Sequence, residues 1–138
     1  MKRTVKIIAL LELMLAISAA CNVQTTGQAP QVVAGNEMAA MTRLRSIATA
    51  EIQYQLDSGG KFATLEELID NRLIGDPSEG KLAGYNFKVR VRPGGFEATA
   101  VPVRHGISGK RSFYIDETRI MRGAEKRGDQ AGPGDPEA

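Results

Sequence analysis

Apolar and polar residues change their spacing along this chain, and each change predicts a different element. Ile7 to Ile17 is apolar throughout except for Glu12, and the "NVQTTGQAPQ" that follows soon after is polar and carries Gly27 and Pro30, so the greasy run does not continue as one apolar helix. From Asn36 to Leu56 the spacing is helical: Met41, Leu44, Ala48, Ile52 and Leu56 make one drifting stripe, widened by Ile47 and Tyr54. Asn36 is placed to cap this helix, Glu37 suits its positive end, and Asp57 to Gly60 supply the stop. Arg43, Arg45, Glu51 and Gln53 read as its solvated face. A short second helix follows in "FATLEELIDNRLIGDP", with Thr64 and Glu67 forming a Thr-x-x-Glu capping box, Leu65, Leu68 and Ile69 turned inward, and Gly75 and Pro77 ending it.

The period then drops to two. Tyr85, Phe87, Val89 and Val91 alternate with Asn86, Lys88, Arg90 and Arg92; "PGG" at 93–95 turns the chain into "FEATAVPV", where Phe96, Ala98, Ala100 and Pro102 alternate with Glu97, Thr99, Val101 and Val103. After a glycine-containing loop, "RSFYID" and "RIMRG" read as a second hairpin turned at "DETR". The pattern therefore predicts an α+β fold in which one long N-terminal helix packs on a four-stranded antiparallel sheet. It divides the chain into an export signal or membrane anchor over 1–21, a linker over 22–35, the α+β domain over 36–122, and a tail over 123–138. That tail, "GAEKRGDQAGPGDPEA", is dense in Gly, Pro and charge and reads as disordered.

Composition sharpens the picture at the N-terminus. Lys2, Arg3 and Lys6 precede the apolar run and small residues follow it in "SAAC", the layout of an export signal. As a helix, Ile7 to Ala20 would rise about 21 Å, short of the roughly 30 Å hydrocarbon core of a bilayer. The single cysteine, Cys21, rules out an intrachain disulfide and any multi-cysteine zinc site. A net charge of +2 from well-mixed Lys, Arg, Asp and Glu shows no single-sign block that would mark a nucleic-acid arm.

Candidate chemistry is sparse. His105 is the sole histidine and lies in a glycine-rich loop, "GISGK" has Lys110 where a nucleophile elbow needs glycine, and Asp116 with Glu117 falls in a predicted turn, where carboxylates solvate a hairpin tip. No enzyme, cofactor or metal is expected. Lys88, Arg90 and Arg92 project together from one strand face and form the one candidate nucleic-acid contact. Such a row also protects an edge strand from aggregation, which is the favoured reading.

Two resemblances give the leader a meaning. "ALLELMLAISA" resembles the start of a type IV pilin or type II secretion pseudopilin, with Glu12, Leu13 and Met14 on that family's Glu-Leu-Met. The resemblance implies that Glu12 meets the free amine of a neighbouring subunit within the membrane and sets filament stagger. Ile7 stands where the family's processed glycine would be. Downstream, Pro30 lies near the family's distance from the glutamate, and "GYNFKV", "FEATAVPV" and "GKRSFYIDETRIMR" are similar to pilin sheet strands, although Arg119 occupies a place where relatives often carry glycine. The likeness runs from about Pro30 to Arg122 and implies a pilin-like fold. Separately, "ISAAC" resembles a lipobox: Ala19, Ala20 and Cys21 match, Ser18 takes a position usually held by leucine, and the implied event is lipidation of Cys21.

Expected, then, is an exported cell-envelope protein, anchored in the membrane by its N-terminal segment with its globular domain outside the cytoplasm. Its partners would be other pilin-like subunits or envelope proteins, as a structural or assembly component of a type IV pilus or type II secretion-like system. The alternative is a lipid-anchored periplasmic lipoprotein, an interaction module that does not polymerise.

Overall fold

The structure, a computed structural model, describes residues 28–75 and 84–138. Its elements are α1 (Gln28–Asp57), α2 (Leu65–Asp70), β1 (Tyr85–Arg92), β2 (Gly95–Pro102), β3 (Ser112–Asp116) and β4 (Arg122–Ala124). The strands form one antiparallel sheet in the order β1-β2-β3-β4, and α1 lies over β2 and β3. The α+β arrangement expected from the pattern, a long helix on a four-stranded sheet, is therefore present.

Helix α1 has 30 residues, about 45 Å at the α-helical rise. It begins well before Asn36, so residues 28–35 of the expected linker are helical and Asn36 is no cap. Pro30 explains why this is allowed: it sits in the first turn, where a backbone N–H has no intrahelical partner to lose. Gly35 costs about 1 kcal/mol against alanine, but Val33 and Glu37 are buried on either side of it and carry the helix through. The buried line is Val33, Glu37, Ala40, Leu44, Ile47, Ala48 and Glu51. Glu51, assigned to the solvated face, is 0% exposed, and Leu56, assigned to the core stripe, is 73% exposed.

Small residues on the strands let the helix approach. Ala98 and Ala100 of β2 are fully buried beside Phe96, and Phe113 and Ile115 of β3 continue the same face. Phe62 packs on Phe96 at 5.6 Å between ring centroids and Tyr85 on Phe113 at 6.0 Å. Helix α2 is capped as the Thr-x-x-Glu pattern predicts: the Glu67 N–H donates to Thr64 Oγ1 at 3.2 Å and the Thr64 N–H to Glu67 Oε2 at 2.7 Å. Its Leu68 is buried against the core.

The β1–β2 hairpin pairs Arg92 with Gly95, leaving Pro93 and Gly94 to turn; Gly94 takes φ 75°, which suits glycine after proline in a type II turn. In the β3–β4 turn the Arg119 N–H donates to the Asp116 carbonyl at 2.9 Å and Arg119 has φ 62°, a left-handed geometry that strains a residue carrying a Cβ. Strand β4 is shorter than the predicted "RIMRG".

The largest departure from the sequence reading concerns 123–138, which composition marked as disordered. These residues fold back onto the sheet. Ser112, Tyr114 and Thr99 point away from the helix yet are buried, and the 128–131 segment crosses their face, with Ser112 Oγ donating to the Asp129 carbonyl at 2.6 Å and Ala131 buried. The chain then returns beside β4, where Arg122 bridges Glu137. Composition misses this because backbone hydrogen bonding to a sheet edge leaves no apolar signature.

Candidate functional site

The most densely bonded constellation joins the first turns of α1 to the β2–β3 loop. Glu37 Oε1 accepts from the backbone N–H groups of Lys110 at 3.0 Å and Arg111 at 3.1 Å, and its Oε2 accepts from Arg111 Nε at 3.0 Å. The preceding residue, Asn36, donates through Nδ2 to the Ser108 carbonyl at 2.9 Å. The loop is fixed from below by Tyr85, whose hydroxyl donates to the Arg111 carbonyl at 2.7 Å. Gly109 is required here, since a Cβ would overlap the Tyr85 hydroxyl. Arg111 lies over the Phe113 ring at 5.0 Å.

Electrostatics make this a fixed clamp. Burial pushes the Glu37 carboxyl up, but the two N–H groups and the guanidinium outweigh it and hold the carboxyl below its ordinary value. Burial, with the Glu37 charge, raises the Tyr85 phenol and keeps it a donor. Beside the clamp is a groove of about 390 Å³ lined by Pro30, Val33, Ala34, Glu37, Gly106 and Lys110. Exposed apolar side chains gather at the same end of the molecule: Val32 and Met38 on the helix, Val103 and Ile107 on the loop.

A second carboxylate lies further along the same helix face. Glu51 Oε2 accepts from the Ala63 N–H at 2.9 Å, and Oε1 has no partner among the described residues. Burial raises this carboxyl to about 7 against the pull of the Ala63 N–H, with the Glu67 charge adding to the rise. Sequence reasoning gives Glu37 to the helix end and Glu51 to the solvated face and makes neither a site residue, although a signal exists: Val33, Glu37, Ala40, Leu44, Ile47, Glu51 and Tyr54 form an unbroken alternation of three- and four-residue steps.

The sequence-predicted residues fare differently. Glu12 and Cys21 lie outside the described residues. Lys88, Arg90 and Arg92 share the outer face of β1 as predicted, but the two arginines are engaged. Arg90 is paired with Glu97, and Arg92 Nη2 bonds Glu117 at 2.7 and 2.9 Å and lies 3.9 Å from Asp116. Lys88 faces a groove of about 460 Å³ with Asn86, Thr99, Asp129 and Gln130. Asp116 serves the turn, accepting from the Thr118 N–H at 2.9 Å and from the Tyr114 hydroxyl at 3.1 Å. His105 Nε2 lies 3.4 Å from Glu125. Among the described residues no group of three or more His, Cys, Asp or Glu side chains is arranged to hold a metal ion, and no helix is long and apolar enough to cross a membrane. Comparison with family models, with curated proteins and with solved structures finds no match to this chain.

Proposed function

We propose that this chain is a pilin- or pseudopilin-like component of the cell envelope, non-enzymatic, structural or assembly-related in a type IV pilus or type II secretion-like system. The observation that carries the reading is the way α1 joins the body. The helix is continuous from Gln28, exposes Val32 and Met38 near its start, and is locked to the β2–β3 loop through Glu37. A subunit that docks or is pulled through an N-terminal rod needs that rod rigidly tied to its globular part, and a buried, triply bonded carboxylate supplies the tie. In this reading the apolar run around Glu12 holds the body outside the cytoplasm, with Glu12 as the charge partner of a neighbouring subunit.

The polar "NVQTTGQ" between Cys21 and the helix favours a second reading, a lipid-anchored module held by Cys21 that does not polymerise. Intact-mass measurement of the membrane-extracted protein separates the two. A methylated new N-terminus near Ile8 supports the filament subunit; a diacylglyceryl group on Cys21 removes Glu12 with the leader and supports the lipoprotein. Recovery only as an unmodified soluble chain overturns both.

A further inference from the structure

The segment from Glu125 to Ala138 is held to the sheet almost wholly by polar contacts. Besides the Ser112–Asp129 bond, the Gly123 N–H donates to the Pro136 carbonyl at 2.9 Å, the Ala138 N–H to the Met121 carbonyl at 3.0 Å, and Arg122 Nη1 to the Asp135 carbonyl at 2.9 Å. Within the segment, Lys126 Nζ pairs with Asp135 Oδ1 at 3.0 Å, and the Gly132 N–H donates to Asp135 Oδ2 at 2.8 Å. Ala131 is its one buried apolar side chain. Segments fixed with so little apolar burial open at the low end of a protein's local stabilities.

The reversal that brings this segment over the sheet is strained. The Asp129 N–H donates to the Lys126 carbonyl at 3.0 Å, with Arg127 at φ 54° and Gly128 at φ 98° between them. Positive φ at both central positions is a type I′ feature, and arginine, with its Cβ, fits the first poorly. Beneath the segment lies the outer edge of β4. A Cβ on Gly123 would stand 2.7 Å from the Phe113 ring and 3.1 Å from the Ala138 Cβ, so whatever pairs with this edge approaches closely and must be small at that point.

We propose that residues 125–138 form an exchangeable strap, which closes the β4 edge within one copy and, once released, closes the same edge in a second copy of this chain. The occupant is specified by the contacts themselves. The edge is read by backbone pairing, by a carbonyl for Arg122 and by a small residue opposite Gly123, all of which the segment already provides, so a second copy's strap fits with no new complementarity. Opening the Lys126–Asp129 reversal releases the strain at Arg127, and a strained hinge favours exchange. Release also leaves β4 an unpaired edge, which sheets avoid by adding a strand. Nothing in this proposal depends on how the N-terminus is anchored, and its failure leaves the filament and lipoprotein readings untouched.

The test uses the full chain and a fluorescently labelled peptide of residues 125–138, followed by anisotropy. Asp135→Asn removes the Lys126 ion pair without altering β4, and Lys126→Ala removes the same pair from its other side, so one of the two serves if the other melts. Apparent affinity scales with the fraction of chains whose edge is open. Saturable binding is expected, about tenfold tighter to the variants than to the unaltered chain, with a scrambled peptide not binding. Equal affinity for all three chains, or no saturable binding to a folded variant, overturns the proposal. Light scattering after chromatography gives an independent readout: concentrated Asp135→Asn protein should form dimers that added unlabelled peptide disperses, and dimers unaffected by the peptide would count against exchange.

Discussion

Glu37 and Glu51 lie on one face of α1, about four turns apart, at 9% and 0% exposure, and they titrate in opposite directions. Glu37 meets two backbone N–H groups and a guanidinium and is held below its ordinary value; Glu51 meets one N–H, leaves Oε1 without a partner, and is pushed up to about 7. Burial raises both. What separates them is the number of donors the neighbouring loop supplies, because each bond to the charged form offsets part of the desolvation. One glutamate is therefore a permanent anion that fastens a loop, and the other a group that is neutral or charged according to the surroundings.

Removing the better-bonded carboxylate gives the largest effect. Glu37→Ala leaves the Lys110 and Arg111 N–H groups and the Arg111 guanidinium without their acceptor, and should cost about 3 kcal/mol of stability in denaturant unfolding. Glu37→Gln keeps one acceptor oxygen and should recover part of that loss. A cost for Glu37→Ala indistinguishable from that of an exposed glutamate would break the contrast.

The two carboxylates also give stability pH dependences of opposite sign. The folded-state value of Glu51 is raised from 4.5 to about 7, so the folded protein binds a proton there that the unfolded chain has already released. Its contribution is fully present below pH 4.5 and is lost as pH rises toward 7, a slope of about 1.4 kcal/mol per pH unit and about 3 kcal/mol in all. Glu37, lowered from 4.5, acts the other way: its contribution is present above 4.5 and lost as pH falls through its folded value. The two carboxylates therefore set opposing pH dependences, Glu37 on the acid side and Glu51 toward neutrality. In Glu51→Gln the decline toward pH 7 should vanish while the acid side is unchanged, which a series of denaturation curves from pH 4 to 8 measures.

This contrast also marks what was legible in the chain. The strands were readable because alternation survives wherever one sheet face is apolar: β1 runs over the residues predicted for it, and β2 lies within one residue of its predicted bounds. The cap on α2 was readable because Thr64 and Glu67 make a local, reciprocal pair. Glu37 reads as a complement to the helix's positive end and Glu51 as a solvated residue, whereas both turn inward because backbone donors at 110–111 and 63 meet them there. The tail escapes composition for a similar reason, since it is anchored by hydrogen bonds to Ser112, Met121, Arg122 and Gly123 and by little apolar surface. Long-range hydrogen bonding is the information that periodicity does not carry.

A smaller change tests whether donors act one by one. Arg111→Ala deletes the guanidinium from Glu37 but leaves both backbone N–H groups in place. Because the Arg111 side chain is 41% exposed, the loss should be only about 1 kcal/mol, part of it from the ring contact with Phe113. Glu37 should move upward yet stay below Glu51, an order that carboxyl-carbon NMR titration reads directly. Convergence of the two values would assign the difference to the arginine charge alone and not to the loop backbone.

The finest test acts on Glu51 from a distance. Glu67 adds to the rise at Glu51 through its charge, while its own carboxylate closes the cap on Thr64. Glu67→Gln removes the charge and keeps an oxygen that can accept the Thr64 N–H, since glutamine serves in a capping box as glutamate does. Helix α2 should hold, and the Glu51 midpoint should fall by a few tenths of a pH unit, small because burial, the first cause, is untouched. A larger fall would mean that like-charge repulsion outranks desolvation at this site. An unchanged midpoint would leave burial and the missing second donor as the whole cause, which would sharpen the comparison with Glu37 into a count of hydrogen bonds.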